Sequence, residues 1–233
     1  MIPPLSNRLL ACCGFVHPGD RVADVGCDHG YLGIYLLQKE IAASVIASDV
    51  NPMPLQSALH NAHKYGVSEN ITFFLSDGVR KIPRDFDCMV CAGMGADTMI
   101  SILASAPWLK DSSYRLILQC QSRRQELRQW LQDNGYRILR ETLAQDGKFI
   151  YPIMEVTYGP GTPMTPGQMY LSPPLLACGS PLLPAFHKRV TEGVRQTVLG
   201  LSKGGNDPQR LAYYQGILTE LIQMEETIYG DRL

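Results

Sequence analysis

Four aspartates are the side chains whose positions most clearly suggest chemistry. They are Asp24, Asp28, Asp49 and Asp77, and each ends or follows a short apolar run that is typical of a buried strand. Open α/β sheets bind ligands at the carboxyl ends of their parallel strands, so we expect these acids to meet at one sheet edge. The alternative is that each acid caps the helix that follows it. Four acids at successive strand ends favour a ligand site.

The turn Gly26-Cys27-Asp28-His29-Gly30 indicates which ligand, because it joins an apolar strand to an apolar helix. Glycines at such a turn let a ligand approach the backbone. A dinucleotide would place its pyrophosphate on this turn, where the carboxylate of Asp28 would repel it. S-adenosylmethionine carries no phosphate and has a cationic amino group and a sulfonium. Acids at Asp24 and Asp28 therefore favour this cofactor.

The other strand ends supply further predicted contacts with the cofactor. Asp49, followed by Val50, is placed to accept hydrogen bonds from both ribose hydroxyls, because a carboxylate has two acceptor oxygens. Asp77 is a candidate acceptor for the adenine amino group, and Gly78 would leave room for the ring. The full set of predicted cofactor-binding residues is Asp24, Gly26, Asp28, Gly30, Asp49, Val50, Asp77, Gly78, Ala92, Gly93, Met94 and Gly95.

The elements that must position these residues are strands alternating with helices. Strands are predicted at 22–25, 44–49, 71–75, 87–91, 115–119, 136–143 and 149–156. Asp146-Gly147 between the last two strands indicates a hairpin. Ser6 and Ser122 are predicted to cap the helices that follow them. This order predicts an α/β fold with a Rossmann-like, seven-stranded, mostly parallel sheet, helices on both faces and one antiparallel strand near an edge.

The composition changes after the last strand. A segment rich in proline and glycine, 159–184, is predicted to be a connector. Two apolar stripes at helical spacing follow within 185–233, separated by Gly204-Gly205-Asn206-Asp207-Pro208, and predict an antiparallel, coiled-coil-like helical hairpin. We therefore expect a Rossmann-like domain over 1–158, a connector over 159–184 and a C-terminal helical hairpin over 185–233.

Composition excludes some classes of protein. The chain has 233 residues, of which 45% are hydrophobic and 18% charged, so it is expected to be globular. Its formal net charge of −1 neither requires nor excludes nucleic acid. We see no targeting signal and no run of transmembrane length, and expect a soluble, cytoplasmic protein. Cys88 and Cys91 have CxxC spacing, but on a strand they would face opposite ways, so no metal site is predicted.

The motifs resemble those of a known family. The segments LSNRL, ADVGCDHGYLGIYL, ASDVNPMPL, SDGV and AGMGADTMISIL are similar to those of bacterial tRNA (adenine-N1)-methyltransferases of the TrmK type. The resemblance covers the predicted sheet domain and implies a class I S-adenosylmethionine-dependent enzyme that methylates N1 of adenine 22, in the D-arm region of tRNA. Two departures from the family pattern lie on the expected substrate side. The last glycine of the usual AGMGG motif is Ala96 in this chain, and the usual Gln-Pro-Asn is Gln119-Cys120-Gln121.

The resemblance also implies a mechanism. N1 of neutral adenine already has a lone pair, so the methyl transfer needs no base to create the nucleophile. The product is cationic, and Asp28 is the expected catalytic carboxylate, either stabilising this charge or accepting an N6 proton. His29 and Tyr31 are expected beside it, with Tyr31 stacking on a base flipped out of the RNA. The alternatives are a turn hydrogen bond for His29 and helix packing for Tyr31.

The implied partner is tRNA, and the chain is expected to be a monomer or a weak homodimer without metal or membrane. Tyr31, Asp97, Arg123 and Arg124 are the predicted substrate contacts, although clustered arginines are more often ordinary solvated surface. Two other hypotheses remain open at this point. One is a methyltransferase for a small molecule or a protein, and the other is a non-catalytic S-adenosylmethionine-binding module that binds a partner through its helical hairpin.

Overall fold

The computed structural model describes residues 2–204 and 207–229, which separate into two compact units that meet between Gly161 and Thr162 in the sequence. The first unit contains a mixed sheet with helices on both faces, and the second contains a pair of long helices. Within the described residues, no helix is both long enough and apolar enough to cross a membrane. The division into a Rossmann-like domain over 1–158, a connector over 159–184 and a C-terminal helical hairpin over 185–233 remains a prediction.

The sheet of the first unit has the strand order β3-β2-β1-β4-β5-β7-β6. Its strands are β1 Asp20–Val25, β2 Ala42–Asp49, β3 Ile71–Leu75, β4 Cys88–Met94, β5 Arg115–Cys120, β6 Tyr136–Asp146 and β7 Phe149–Tyr158. Strands β1 to β5 pair in parallel, whereas β7 pairs antiparallel with both β5 and β6. The predicted mostly parallel, seven-stranded sheet is confirmed.

Helices cover both faces of this sheet. They are α1 Asn7–Cys13, α2 Tyr31–Gln38, α3 Pro52–Lys64, α4 Ala96–Ala104 and α5 Arg124–Asp133, with a 3-10 turn at Pro107–Leu109. Two clusters of buried apolar side chains form the core, one on each face. Cys88 lies in one cluster and Cys91 in the other, as the alternation of side chains along a strand requires.

The start of α1 differs from the prediction. Ser6 precedes the helix, but its hydroxyl makes no capping hydrogen bond. The carboxylate of Asp146, at the β6–β7 hairpin, instead accepts the backbone N–H groups of Asn7 at 2.8 Å and Arg8 at 3.2 Å. A carboxylate there satisfies amide groups that have no partner within the helix and complements its dipole. The β6–β7 hairpin therefore caps α1, although Arg8 and Asp146 are 138 residues apart in the sequence.

The start of α5 also differs. The residue before the helix is Arg123, whose φ of 56° is left-handed, and Ser122 does not cap the helix. Further along α5, Arg128 is 1% exposed and donates to Glu141 of β6 at 2.6 Å. Arg128 therefore joins α5 to the sheet and is not part of a basic surface.

The amino ends of the strands carry a network of ion pairs. Arg115 at the start of β5 pairs with Asp20 of β1 and, at 2.9 Å, with Glu155 of β7. Arg140 of β6 also pairs with Glu155. The two arginines hold the pKa of Glu155 below its usual value, against the opposite effect of its burial. These pairs connect four strands at this end of the sheet.

The second unit contains α6 Pro173–Leu176, α7 Leu183–Gly204 and α8 Pro208–Tyr229. Phe186, Val194 and Leu221, which belong to the predicted apolar stripes, are buried, and so is Ile217, which the prediction did not include. The buried ring of His187 in α7 lies 2.8 Å from the carbonyl oxygen of Leu221, late in α8. An early residue of one helix thus meets a late residue of the next, so the predicted antiparallel hairpin is confirmed. Of the predicted turn, Gly205 and Asn206 lie outside the described residues.

Candidate functional site

A cleft of about 370 Å³ opens at the carboxyl ends of the parallel strands. We call it the strand-end cleft. Its walls include ten of the predicted cofactor residues, which are Asp24, Gly26, Asp28, Asp49, Val50, Asp77, Gly78, Ala92, Gly93 and Met94. His29 and Tyr31 also line it. The four aspartates that the sequence places at strand ends are therefore brought to one cavity.

Five predicted residues lie outside this lining: Gly30, Gly95, Asp97, Arg123 and Arg124. Gly30 precedes α2 and faces α3, where a Cβ would come within 2.9 Å of the Ala58 side chain. Gly95 precedes α4 and faces the hydroxyl of Ser122. These two glycines thus allow helices and loops of the scaffold to approach one another.

Asp24 is the most deeply buried acid of the strand-end cleft, with 5% of its surface exposed. The backbone N–H of Gly33 in α2 lowers the pKa of this carboxyl, while its Oδ2 atom has no hydrogen-bond partner among the described residues. Burial, together with the nearby charge of Asp49, raises the pKa of Asp24 to about 7. Capping of α2 therefore does not explain why Oδ2 of Asp24 is buried without a partner.

Asp49 fixes the loops around the strand-end cleft. Its Oδ2 accepts the backbone N–H of Asp28 at 3.1 Å, and its Oδ1 accepts that of Asn51 at 2.8 Å. Each carboxylate oxygen can accept a further hydrogen bond. Asp49 is therefore positioned by the protein and still able to receive two donors from a ligand.

The mouth of the strand-end cleft is formed by Asp28, His29 and Tyr31. Asp28 adopts a left-handed φ of 50°, and its side chain is 70% exposed. Its Oδ1 lies 3.6 Å from Nε2 of His29. The ring of Tyr31 lies between the rings of His29, at 5.9 Å, and Tyr65, at 6.4 Å. A left-handed conformation in a residue other than glycine is costly, and such residues cluster at functional sites.

The glycine turn and the end of β4 meet closely inside the strand-end cleft. Gly26 has a φ of 74°, and a Cβ on it would overlap the Cε atom of Met94. Only glycine fits this conformation and this contact without strain. At Gly78, the space that a side chain would take is filled by Ile102, 2.8 Å from the position of a Cβ. Packing against α4 is thus a reason for this glycine in addition to the predicted room for a ring.

Asp77, like Asp28, is an exposed acid of the strand-end cleft, in contrast to the buried Asp24 and Asp49. Its side chain is 67% exposed and lies 3.4 Å from Nε of Arg80. The neighbouring hydroxyl of Ser76 is buried and accepts the backbone N–H of Lys81 at 3.1 Å. Asp77 is therefore on the rim of the strand-end cleft.

Asp97 and Arg123, two of the predicted substrate contacts, pair with each other. Nη1 of Arg123 donates to Asp97 at 2.7 Å, and its Nε donates to Glu126 at 2.7 Å. All three side chains are largely exposed. Arg123 thus has carboxylate partners in this structure, which lowers its availability for a phosphate.

Several residues of the strand-end cleft were not predicted from the sequence. They are Arg8, Leu9, Val25, Cys27, Leu32, Asn51, Ser76, Thr98 and Ile102. Asn51 and Ser76 are neighbours of predicted aspartates, and their positions beside strand ends were a usable signal. Arg8 lies on α1, and its only sequence signal was its place in the LSNRL segment.

Known proteins resemble this chain in both sequence and structure. Residues 5–154 match the family model described as a methyltransferase domain. A solved structure from Streptococcus pneumoniae, a putative tRNA (m1A22) methyltransferase, is 30% identical with a TM-score of 0.80, covering 97% of this chain and 100% of that chain. The chain belongs to the tRNA (adenine-N1)-methyltransferase family. The family predicted from the motifs is confirmed.

Two curated relatives of this methyltransferase family match over shorter segments. The tRNA (adenine(22)-N(1))-methyltransferase of Bacillus subtilis is 32% identical over 146 residues, which are 62% of this chain and 61% of that protein. A putative tRNA methyltransferase of Mycoplasma genitalium is 36% identical over 138 residues, 58% of this chain and 61% of that protein. The matched part of this chain thus spans 61% of the length of both relatives.

The Streptococcus pneumoniae member of the family has also been solved in complex with S-adenosyl-L-methionine. That structure is 29% identical to this chain with a TM-score of 0.79, and covers 94% of this chain and 100% of that chain. Within the described residues of the present chain, no group of three or more histidine, cysteine, aspartate and glutamate side chains is arranged to hold a metal ion.

Proposed function

We propose that this chain transfers the methyl group of S-adenosylmethionine to N1 of an adenine in tRNA. The observation that carries the proposal is the set of acids in the strand-end cleft. Among the described residues, Asp24, Asp28 and Asp49 have no lysine or arginine partner, and Oδ2 of Asp24 has no hydrogen-bond partner. Unpaired acids around a glycine turn suit a cationic ligand that carries no phosphate.

The residues of the strand-end cleft fit this cofactor. S-adenosylmethionine supplies a reactive methyl group on a positively charged sulfur. The unpartnered Oδ2 of Asp24 would accept a hydrogen bond from the amino group, which would also favour ionisation of the carboxyl. Asp49 would accept the ribose hydroxyls with its remaining acceptor capacity, and Asp77 on the rim would accept the adenine amino group.

The mouth of the strand-end cleft suits the target base. The exposed carboxylate of Asp28 would stabilise the positive charge that develops on adenine when N1 accepts the methyl. The aromatic pair Tyr31 and His29 offers a surface on which a flipped base can stack. At Gly93, Nη1 of Arg8 lies 3.2 Å from the position that a Cβ would take, so this glycine leaves room for the Arg8 side chain.

The relatives support tRNA as the substrate. The printed names of the Bacillus subtilis and Streptococcus pneumoniae proteins specify adenine 22. Adenine 22 is therefore the proposed position for this chain, although its Gln119-Cys120-Gln121 segment departs from the family pattern. A cytoplasmic location and a monomeric or weakly dimeric state are part of the same proposal.

The test is incubation of the purified chain with isotopically labelled S-adenosylmethionine and unmodified tRNA, followed by nucleoside analysis. We expect labelled N1-methyladenosine, and its loss when adenine 22 of the tRNA is replaced by guanine. The Asp28→Asn variant should lower kcat by about 100-fold or more. Absence of N1-methyladenosine with every tRNA tested would contradict the proposal, whereas methylation of another adenine would correct the position.

A further inference from the structure

Arg8 is a cleft residue that the proposed chemistry has not yet used. It projects from α1 into the wall of the strand-end cleft, where its side chain remains 24% exposed. Its Nη1 donates to Oε1 of Gln119 at 2.8 Å, and that oxygen also accepts the backbone N–H of Gly93 at 3.0 Å. The guanidinium group therefore lies directly beside the end of β4.

The position of Arg8 is fixed by the β6–β7 hairpin. The carboxylate of Asp146 accepts the backbone N–H groups of Asn7 and Arg8, and the side-chain amide of Asn7 donates to the carbonyl oxygen of Gln145 at 2.8 Å. These three bonds attach the first turn of α1 to the sheet. Arg8 is consequently held at the strand-end cleft by elements that are distant in the sequence.

Most of the hydrogen-bonding capacity of Arg8 is unused. A guanidinium group has five N–H donors, and within the described residues only Nη1 makes a side-chain hydrogen bond, the one to Gln119. The closest carboxylate oxygen of Asp146 is 3.7 Å from Nε, beyond hydrogen-bond length. A partly buried guanidinium with spare donors is suited to bind a carboxylate or phosphate oxygen.

The charge of Arg8 is also unusual for its surroundings. Among the described residues that line the strand-end cleft, it is the only lysine or arginine, facing four aspartates. Arg8 and Asp24 both line this cleft, so it offers a positive and a negative group to one ligand.

We propose that Arg8 binds the carboxylate of the methionine part of S-adenosylmethionine, while Asp24 binds its amino group. This inference rests on the proposed cofactor. The methionine part of the cofactor carries a positive amino group and a negative carboxylate. In the lining of the strand-end cleft, Asp24 has the charge that complements the amino group and Arg8 the charge that complements the carboxylate. A tRNA phosphate is the other oxyanion that Arg8 could receive, but the presence of Arg8 and Asp24 in the same cleft favours the cofactor.

The test measures binding by calorimetry, without tRNA, for S-adenosylmethionine and for its decarboxylated form. We expect Arg8→Gln to weaken binding of S-adenosylmethionine by about 10- to 100-fold, because a charged hydrogen bond is lost. Binding of the decarboxylated form should change less than about threefold, because that ligand has no group for Arg8 to hold. Arg8→Lys should restore part of the loss by retaining the charge.

The matched control is Arg80→Gln, which removes an exposed arginine outside the lining of the strand-end cleft and should leave the ratio of the two affinities unchanged. An equal loss for both ligands in Arg8→Gln would assign Arg8 a structural role and overturn the inference. Unchanged affinity for S-adenosylmethionine with a raised KM for tRNA would assign it to a phosphate and overturn it equally. If the unmodified chain binds neither ligand, the proposed function itself fails.

Discussion

The two ends of the sheet use acidic residues in opposite ways. At the amino end, Asp20 and Glu155 are both paired with Arg115, and Glu155 has Arg140 as a second partner. At the carboxyl end, Asp24 and Asp49 are buried, yet neither has an arginine or lysine partner among the described residues. The same β1 strand contributes an acid to each end.

This difference separates stability from function. Paired acids at the amino end are compensated within the fold, and the pKa of Glu155 is lowered. At the carboxyl end the pKa of Asp24 is raised to about 7, because its ionised form is buried without a counter-charge. The folded chain therefore tolerates an unfavourable charge where the cofactor is proposed to bind, a pattern expected for ligand sites.

The largest effect is expected from breaking the amino-end network. Arg115→Met leaves the buried Glu155 and the partly buried Asp20 with less compensation, which should lower the free energy of unfolding by about 3–5 kcal/mol. The midpoint of thermal unfolding should fall by roughly 10 °C. Affinity for S-adenosylmethionine, measured at a temperature where the variant is folded, should be unchanged.

The control for this variant is Lys39→Met, which removes a positive charge from an exposed position and should alter stability by less than about 0.5 kcal/mol. A loss below about 1 kcal/mol for Arg115→Met would show that the amino-end acids are not dependent on that arginine. The pairing of acids at the amino end would then not contribute to the stability of the fold.

The next effect has the opposite sign. The pKa of Asp24 rises from 3.8 to about 7 on folding, so between these pH values the folded state holds a proton that the unfolded state has lost. The free energy of unfolding should therefore decrease as pH rises from 4 to 7. Asp24→Asn removes this dependence and should stabilise the ligand-free chain at pH 8 by about 4 kcal/mol.

Denaturant titrations of both proteins at pH 5 and pH 8 measure this effect. The difference in stability between Asp24→Asn and the unmodified chain should be small at pH 5 and large at pH 8. Lower stability of the variant at pH 8 would mean that the ionised carboxylate is already compensated within the fold.

A smaller effect is expected at Asp49, because it is held by two backbone N–H groups. Asp49→Asn removes a charge that raises the pKa of Asp24 and leaves one acceptor oxygen in place of two. Affinity for S-adenosylmethionine should fall about 10-fold. The pH at which stability stops decreasing should also move to a lower value. An unchanged pH profile would mean that the two carboxylates do not interact.

The smallest effect is expected at Arg123, which has the same number of acidic partners as Arg115 but is exposed. Its pairs with Asp97 and Glu126 lie in water, where such interactions contribute less than about 1 kcal/mol. Arg123→Ala should therefore change the free energy of unfolding by about 0.5 kcal/mol or less. A loss comparable to that of Arg115→Met would show that burial does not distinguish the two arginines.

The fold and the acids of the strand-end cleft could be predicted because their signals are local. An apolar run that ends in Asp24 or Asp49 specifies both a buried strand and the position of the acid at its end. The sequence does not reveal in the same way that Gly30 serves packing against Ala58, since that contact joins two helices.

Arg8 could not be assigned to the strand-end cleft from the sequence. Its helix is attached to the hairpin by Asp146, which is 138 residues away from Arg8 in the chain. The same long-range contact replaced the predicted cap at Ser6. Local patterns predict helix starts and strand ends, but a cap supplied by a distant hairpin depends on the completed sheet.

The most direct test of the account compares S-adenosylhomocysteine with its analogue that lacks the amino group. Dissociation constants for both ligands would be measured by calorimetry on the unmodified chain and on Asp24→Asn. If Asp24 is left unpaired to hold that amino group, the unmodified chain should bind S-adenosylhomocysteine about 30-fold or more tightly than the analogue, as for a charged hydrogen bond. Asp24→Asn should bind the two ligands with nearly equal affinity. Retention of the full preference by Asp24→Asn would contradict the account.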